Sequence, residues 1–179
     1  MTDRRSFITA CASASLGAGL ISATPALAAP KVGKPAPHFD ASTFGGKTIK
    51  WSEMKNKVIL LNYWATWCGP CRIELPLIQS YVRNKASPDL LVFAITTEDS
   101  VPDNLLKPLA KVLSFPLVHA ISSWSYGIID NSVPSNYVID KSGILRYAMA
   151  GAFEYEGLEE VVTPLLNEDA PQDASKAIT

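Results

Sequence analysis

The chain has 179 residues, enough for one domain with short extensions. Hydrophobic residues make up 47% of it, so a full apolar core can form. The formal net charge of -1 gives no sign of a surface that binds nucleic acid or another polyanion, and we expect no nucleic-acid partner.

Residues 1–28 have the pattern of an export signal. Arg4-Arg5 precede an uncharged apolar stretch, and residues 26–28 (Ala-Leu-Ala) match an A-x-A cleavage site. We therefore expect a mature chain in the periplasm, a compartment that permits disulfides. The arginine pair favours a twin-arginine signal over an ordinary secretory one, and an uncleaved membrane anchor is the minor alternative.

Cysteine positions point to redox chemistry. Cys11 falls within the expected signal, which leaves Cys68 and Cys71 as the cysteines of the mature domain. Two thiols two residues apart can close and reopen a disulfide, so the pair can carry two electrons. Half of a zinc site is the alternative, but a second C-x-x-C is lacking and the sequence has two histidines, His38 and His119.

The first half of the expected domain begins with an extended, proline-containing segment at residues 29–38. Gly45-Gly46 predicts a hairpin turn. The apolar run at residues 57–64 does not alternate with polar residues, which predicts a strand buried on both faces. A helix is expected from Cys68 to about Asn84.

The second half alternates strand and helix patterns before a late hairpin. We predict a strand at 90–95, a helix at 103–113, a strand or loop at 115–119, a short helix at 123–129, paired strands at 135–140 and 144–150, and a helix at 158–166. Residues 167–179 are polar and are expected to form a flexible tail. This order predicts an α/β fold, with a mixed sheet that carries helices on both faces.

The two cysteines lie where a predicted strand ends and a predicted helix begins. Unpaired N–H groups and the positive end of the helix dipole stabilise a thiolate there. Cys68, at the helix start, is the expected attacking thiol. Cys71, one turn further in, is the expected resolving thiol.

The block from Asn62 to Pro76, with Trp-Cys-Gly-Pro-Cys at its centre, resembles the active site of the thioredoxin fold. Within that fold it resembles the exported TlpA-like, ResA-like and DsbE-like thiol-disulfide oxidoreductases. The resemblance covers residues 31–166 and includes the hairpin at Gly45-Gly46. It implies a thioredoxin-like domain at residues 29–166, with an added N-terminal hairpin and no cofactor.

A proton acceptor for Cys71 is predicted at Glu74. Thioredoxin has an aspartate where this chain has Asn62, and an amide does not titrate. Glu74 lies three residues after Cys71 and therefore on the same helix face, and ResA-like proteins carry a functional glutamate at this offset. The alternative is a solvated acid that only complements the helix dipole.

The resemblance also implies a substrate-binding surface. Pro134 is expected to follow a cis peptide bond, which leaves the backbone of Val133 able to pair with a substrate; a trans proline at an edge strand is the alternative. Trp67 is expected to contact substrate, unless it only packs against the protein. Gly69 and Pro70 form the thioredoxin dipeptide, which points to a reductant, although both also suit a helix start.

The function implied is reduction of disulfides in specific exported proteins, with apocytochrome c or copper-site cysteines as substrate classes. A membrane thiol-electron donor would re-reduce the pair, and a monomer is expected. The alternative function is a Cu(I)-binding assembly chaperone that could use His119, although this histidine is expected to pack in the core. A peroxidase is disfavoured, because Ala65 stands where a peroxidase needs Thr or Ser.

Overall fold

One mixed β-sheet forms the centre of the protein, for which a computed structural model describes residues 29–101 and 103–171. The expected signal at residues 1–28 and the end of the predicted tail lie outside the described residues. The strands are β1 Ala41–Thr43, β2 Thr48–Ile49, β3 Val58–Trp64, β4 Leu90–Thr96, β5 Leu117–Ile121, β6 Ser135–Ile139 and β7 Leu145–Ala150. The helices are a 3-10 helix at Trp51–Met54, α1 Gly69–Lys85, α2 Asp103–Val112 and α3 Tyr155–Asn167.

The described strands lie side by side in the order β2-β1-β5-β4-β3-β6-β7. Strand β3 pairs in parallel with β4 and antiparallel with β6, and β4 pairs in parallel with β5. Every residue of β3 is buried, as its continuous apolar pattern predicts. The carboxyl ends of β3, β4 and β5 meet at one edge of the sheet, and α1 begins at that edge.

The two faces of the sheet are covered differently. Side chains from all three α-helices enter one apolar cluster, represented by Leu75, Leu106 and Leu158. The cluster on the other face contains Phe39 from the N-terminal segment and Met54 from the 3-10 helix. Helices were expected on both faces. The three α-helices pack on the first face, and the second face carries only the 3-10 helix among the described helices.

The helix predicted at residues 123–129 is wrong. This segment forms a turn at residues 124–125 and a single bridge at Ile129, and it is held by side-chain hydrogen bonds to backbone carbonyls. Tyr126 donates its hydroxyl hydrogen to Pro37 O at 2.8 Å, and Tyr137 donates to Gly127 O at 2.9 Å. These contacts come from residues distant in sequence, and they outweigh the local preference for a helix.

The other expected elements form close to their predicted bounds. Gly46, with a φ of 76°, makes the turn of the β1–β2 hairpin. Of residues 115–119, left open between strand and loop, residues 117–119 belong to β5 and residues 115–116 precede it. Within the described ranges, no helix combines the length and the apolar character needed to cross a membrane.

Lys141 closes the C-terminal end of α3 and should contribute to stability. Its Nζ donates to Leu166 O at 2.8 Å and to Glu168 O at 2.9 Å, and only 8% of the side chain is exposed. Lys141→Met keeps the apolar stem but leaves both carbonyls without this donor. We expect the free energy of unfolding in urea to fall by about 1–3 kcal/mol.

The matched control for this prediction is Lys55→Met, since Lys55 is exposed. The control should change the free energy of unfolding by less than about 0.5 kcal/mol. An equal effect of the two substitutions would contradict the proposed cap.

Candidate active site

Cys68 and Cys71 form a disulfide at the first turn of α1. The sulfurs are 2.04 Å apart and the Cα atoms 5.3 Å apart. Cys68 is the N-cap residue, and the backbone N–H of Cys71 donates to Cys68 Sγ at 3.1 Å. Gly69 and Pro70 occupy the first two helical positions, where Pro70 loses no hydrogen bond.

The two sulfurs differ in their hydrogen bonding. Both residues are buried, with 3% of Cys68 and 0% of Cys71 exposed. Cys68 Sγ accepts a backbone hydrogen bond at the helix start, which stabilises negative charge on that sulfur in the thiolate form. This hydrogen bond favours Cys68 as the attacking thiol, and this assignment stays a prediction.

The loop before β6 brings a second backbone segment to the disulfide. The peptide bond between Val133 and Pro134 is cis, as the resemblance implies. The carbonyl oxygen of Val133 lies 3.5 Å from Cys68 Sγ. Pro134 is buried, and its carbonyl accepts a hydrogen bond from Gly151 N at 2.8 Å. Val133 is partly exposed, and its carbonyl oxygen lies beside the disulfide.

Glu74 is fully buried one turn further along α1, on the same buried face as Cys71. Its Oε2 accepts a hydrogen bond from Asn62 Nδ2 at 2.7 Å. Its Oε1 accepts one from Asn136 Nδ2 and one from the backbone N–H of Phe153, each at 2.7 Å. The alternative of a solvated acid near the helix start is therefore wrong.

Burial dominates the titration of Glu74. Loss of solvation raises the pKa of its carboxyl group above the ordinary value. The hydrogen bonds from Phe153, Asn136 and Asn62 favour the ionised form and oppose that shift. The net effect is a raised pKa, so the Glu74 carboxyl group keeps its proton to higher pH than an exposed glutamate does.

The Asn62 side chain takes part in this buried polar network through its nitrogen and not through its oxygen. Its Nδ2 donates to Glu74 and, at 2.8 Å, to Asn136 Oδ1. Its Oδ1 is buried and has no hydrogen-bond partner among the described residues. An unused acceptor therefore lies next to the carboxyl group.

Exposed apolar side chains border the disulfide. Trp67 is 69% exposed, so it does not merely pack against the protein. Ile73, on the solvent side of α1, is 73% exposed. Trp64, by contrast, is buried in the core, as the strand pattern predicts. The surface next to Cys68 can thus accept an apolar segment of another chain.

His119 does not pack in the core, which corrects that expectation. It is exposed in the middle of β5, and its ring stacks on Phe44. Leu117 and Val118 before it are buried, whereas Ala120 after it is exposed. The described part of the chain contains no group of three or more His, Cys, Asp or Glu side chains arranged to hold a metal ion.

The geometry agrees with comparisons to known proteins. The model of the AhpC/TSA family matches residues 32–148, which is more than half of the chain. The chain belongs to the AhpC/TSA family. Family membership covers the sheet from β1 to most of β7, including both active cysteines.

Individual relatives agree on the chemistry. The chain is 29% identical over 135 residues to the thiol-disulfide oxidoreductase ResA of Bacillus thuringiensis, covering 73% of this chain and 76% of that protein. It is 27% identical over 130 residues to the thioredoxin-like protein YneN of Bacillus subtilis, covering 72% of this chain and 76% of that protein.

A solved structure from Chlorobium tepidum, a thiol:disulfide interchange protein of the thioredoxin family, superimposes with a TM-score of 0.64. It is 26% identical and covers 75% of this chain and 97% of its own. The resemblance to ResA-like and DsbE-like proteins and the thioredoxin-like fold are therefore confirmed. The protein is a thiol-disulfide oxidoreductase, and proteins with disulfides and thiols are its reaction partners.

Two polar residues of the site escape prediction from the sequence. Asn136 faces Asn62 across the β3–β6 pair and binds Glu74. Glu98 contacts the loop before Cys68. Asn136 could have been suspected from its place in a strand expected to be buried, because a buried polar side chain needs a specific hydrogen-bond partner.

The raised pKa of Glu74 predicts a pH-dependent cost of burial. Because the folded pKa lies above the unfolded value, the folded state loses stability as pH rises through this interval. Glu74→Gln removes that loss. The free energy of unfolding of the variant minus that of the unmodified protein should therefore increase from pH 4 to pH 8. Both proteins are unfolded in urea with the disulfide intact.

Glu160→Gln is the control, since Glu160 is exposed on α3. Its stability relative to the unmodified protein should show little change over the same pH range. A Glu74→Gln difference that stays constant with pH would contradict the raised pKa.

Proposed function

We propose that the protein is an extracytoplasmic reductase that opens disulfides in specific exported proteins. The observation that carries this proposal is the Cys68–Cys71 disulfide at the start of α1, with Cys68 Sγ beside the backbone of Val133. A reactive sulfur next to a backbone segment suits a polypeptide substrate, which can pair with that segment while its own sulfur is attacked.

The reaction begins with the dithiol form. The Cys68 thiolate attacks one sulfur of the substrate disulfide, a mixed disulfide forms, and the other substrate sulfur leaves as a thiolate that takes a proton. Cys71 then loses its proton and attacks Cys68 Sγ. The protein disulfide closes, and the substrate leaves with two thiols and two additional electrons.

Glu74 is proposed as the acceptor of the Cys71 proton. Both residues are fully buried on the same face of α1, one turn apart. A raised pKa lets a carboxyl group exchange protons closer to neutral pH, where a thiol also titrates. Asn62 and Asn136 hold the carboxyl group in one orientation.

The substrate is proposed to bind across Trp67, Gly69, Pro70, Val133 and Pro134. Trp67 supplies exposed apolar surface, Pro70 is also exposed, and Val133 is partly exposed. This surface favours an extended segment with an apolar residue near its cysteine. Apocytochrome c and copper-site proteins are proposed as substrates from the resemblance, because their paired cysteines must be reduced before they bind a cofactor.

The reducing direction is proposed from Gly69-Pro70, the dipeptide of thioredoxin, and the compartment then sets where the electrons must come from. We infer the periplasm from the export pattern at residues 1–28. Such a compartment is kept oxidising, so a reductase there needs a dithiol that receives electrons across the membrane. A membrane protein with a reduced thiol pair is the proposed donor, and the oxidoreductase itself is proposed to be a monomer.

Trapping tests the order of the cysteines and the substrate together. Cys71→Ser should accumulate a mixed disulfide between Cys68 and an exported protein, because the resolving thiol is missing. The covalent complexes are separated on non-reducing gels and identified by mass spectrometry after expression in the native cell.

Cys68→Ser is the matched control and should trap nothing. Trapping by this variant alone would reverse the assigned roles. A Cys71→Ser variant that captures no protein with paired cysteines would contradict the proposed function.

The role of Glu74 predicts a change in the pH profile of resolution. For Glu74→Gln, the rate at which Cys71 closes a preformed mixed disulfide should be lower near neutral pH and should rise with hydroxide concentration, since no carboxylate accepts the proton. Stopped-flow tryptophan fluorescence can follow the step, because Trp67 is next to Cys68. An unchanged profile would show that Glu74 has no part in proton transfer.

A further inference from the structure

The loop that leads to Cys68 is tied to the segment that follows β4. Thr66 donates its backbone N–H to Glu98 Oε2 at 2.5 Å and its hydroxyl hydrogen to Glu98 Oε1 at 2.9 Å. Both oxygens of one carboxylate are therefore used by one residue of the loop. Charge-assisted pairs of this kind fix orientation as well as distance.

Neighbouring contacts anchor the same two segments. Thr97 donates from its backbone N–H and from its hydroxyl to Trp64 O, at 3.0 and 3.3 Å. Glu98 in turn donates its backbone N–H to Thr96 Oγ1 at 3.1 Å. The position of Glu98 is thus itself determined by β4, and the loop residues between Trp64 and Cys68 are held from the edge of the sheet.

We propose that Glu98 is a positioning residue for thiol-disulfide exchange. It holds Thr66, and through the backbone it holds the attacking sulfur of Cys68, which lies two residues further along. This inference rests on the proposed function only for the role of Cys68 as attacking thiol. Neither Glu98 nor Thr66 touches the disulfide in the described contacts, so their effect on reaction passes through the loop.

Position matters because exchange requires near-linear approach of three sulfur atoms. Cys68 Sγ must reach the incoming disulfide while it stays within reach of Cys71. A displacement of about 1 Å in a reacting group can reduce a rate on the order of 100-fold. A loop that moves freely relative to α1 would therefore slow attack, even if the protein stayed folded.

Glu98 also places a negative charge near the nucleophile, which opposes thiolate formation at Cys68. Charged residues close to this turn in sequence are Arg72, exposed on α1, and Asp99, exposed next to Glu98, and the ionisable Glu74 is buried on the inner face of α1. The hydrogen bonds and the charge of Glu98 therefore act on the reaction in opposite directions. This opposition makes the two effects separable by substitution.

Glu98→Gln removes the charge and keeps the contact. The amide oxygen can accept from Thr66 N, and the amide nitrogen can donate to Thr66 Oγ1, which accepts as well as donates. Glu98→Ala removes both the charge and the contact. Thr66→Val removes the hydroxyl bond alone at nearly constant shape, and Asp99→Asn is the control for loss of a nearby acidic charge.

The measurements use the reduced full-length chain and its variants. The first is the second-order rate constant with glutathione disulfide, corrected for the folded fraction. The second is the pKa of Cys68, obtained from the pH dependence of iodoacetamide alkylation at that residue, as quantified by peptide mass spectrometry. Neither measurement depends on the physiological substrate or on the direction of electron flow.

We expect Glu98→Ala to lower the rate constant about tenfold and Thr66→Val about threefold. In Glu98→Gln the rate constant should stay within about threefold of the unmodified protein, while the pKa of Cys68 falls because a negative charge is removed. Asp99→Asn should change the rate constant less than twofold. This pattern would support the proposal, since Glu98→Ala and Glu98→Gln lose the same charge and differ in whether the contact with Thr66 is kept.

Two results would overturn the proposal. One is a folded Glu98→Ala variant with an unaltered rate constant, which would leave Glu98 a purely structural role. The other is a Glu98→Gln variant as slow as Glu98→Ala. If Glu98→Ala does not fold, an unaltered rate constant in Thr66→Val would overturn it. Failure of the proposed function is a different result: an unmodified protein that reacts with glutathione disulfide but reduces no exported protein.

Discussion

A carboxyl group without access to water constrains the whole centre of the protein. Glu74 is fully buried, and such a group is costly unless donors surround it. The donors come from β3, β6 and the segment before α3, through Asn62, Asn136 and the backbone of Phe153. This one side chain therefore links the first helix to the sheet and to the segment before the last helix. Because Cys68 is the N-cap of the same helix, these contacts also help to position the disulfide.

The burial of Glu74 costs free energy, but it also gives the carboxyl group a property that the reaction can use. Apolar residues in its place would remove the cost of burial, as they do for many buried charged groups. The retained carboxyl group instead has a raised pKa and lies on the buried face it shares with the inner cysteine. Asn62 Oδ1 has no hydrogen-bond partner among the described residues, so it could accept one further hydrogen bond in this network. Stability and proton transfer thus place opposing demands on the same residue.

The active-site edge combines rigid and accessible parts. Strand β3 is buried along its full length, so the loop after it starts from a fixed point. That loop is tied to the end of β4 by Thr97 and Glu98. Only beyond these contacts do side chains such as Trp67 reach solvent. A nucleophile held on a rigid support, beside an exposed apolar surface, suits reaction with flexible protein segments.

The sequence by itself determined the features that depend on near neighbours. The buried strand before the cysteines, the helix after them and the spacing of Cys68, Cys71 and Glu74 are local patterns, and their chemistry follows from residue type. Only the tertiary structure decided which groups meet. Asn136 is 62 residues from Glu74, and Glu98 is 32 residues from Thr66, so no local pattern reveals either contact. The segment at 123–129 lacks its predicted helix for the same reason, since Tyr126 and Tyr137 form hydrogen bonds whose energy depends on the assembled fold.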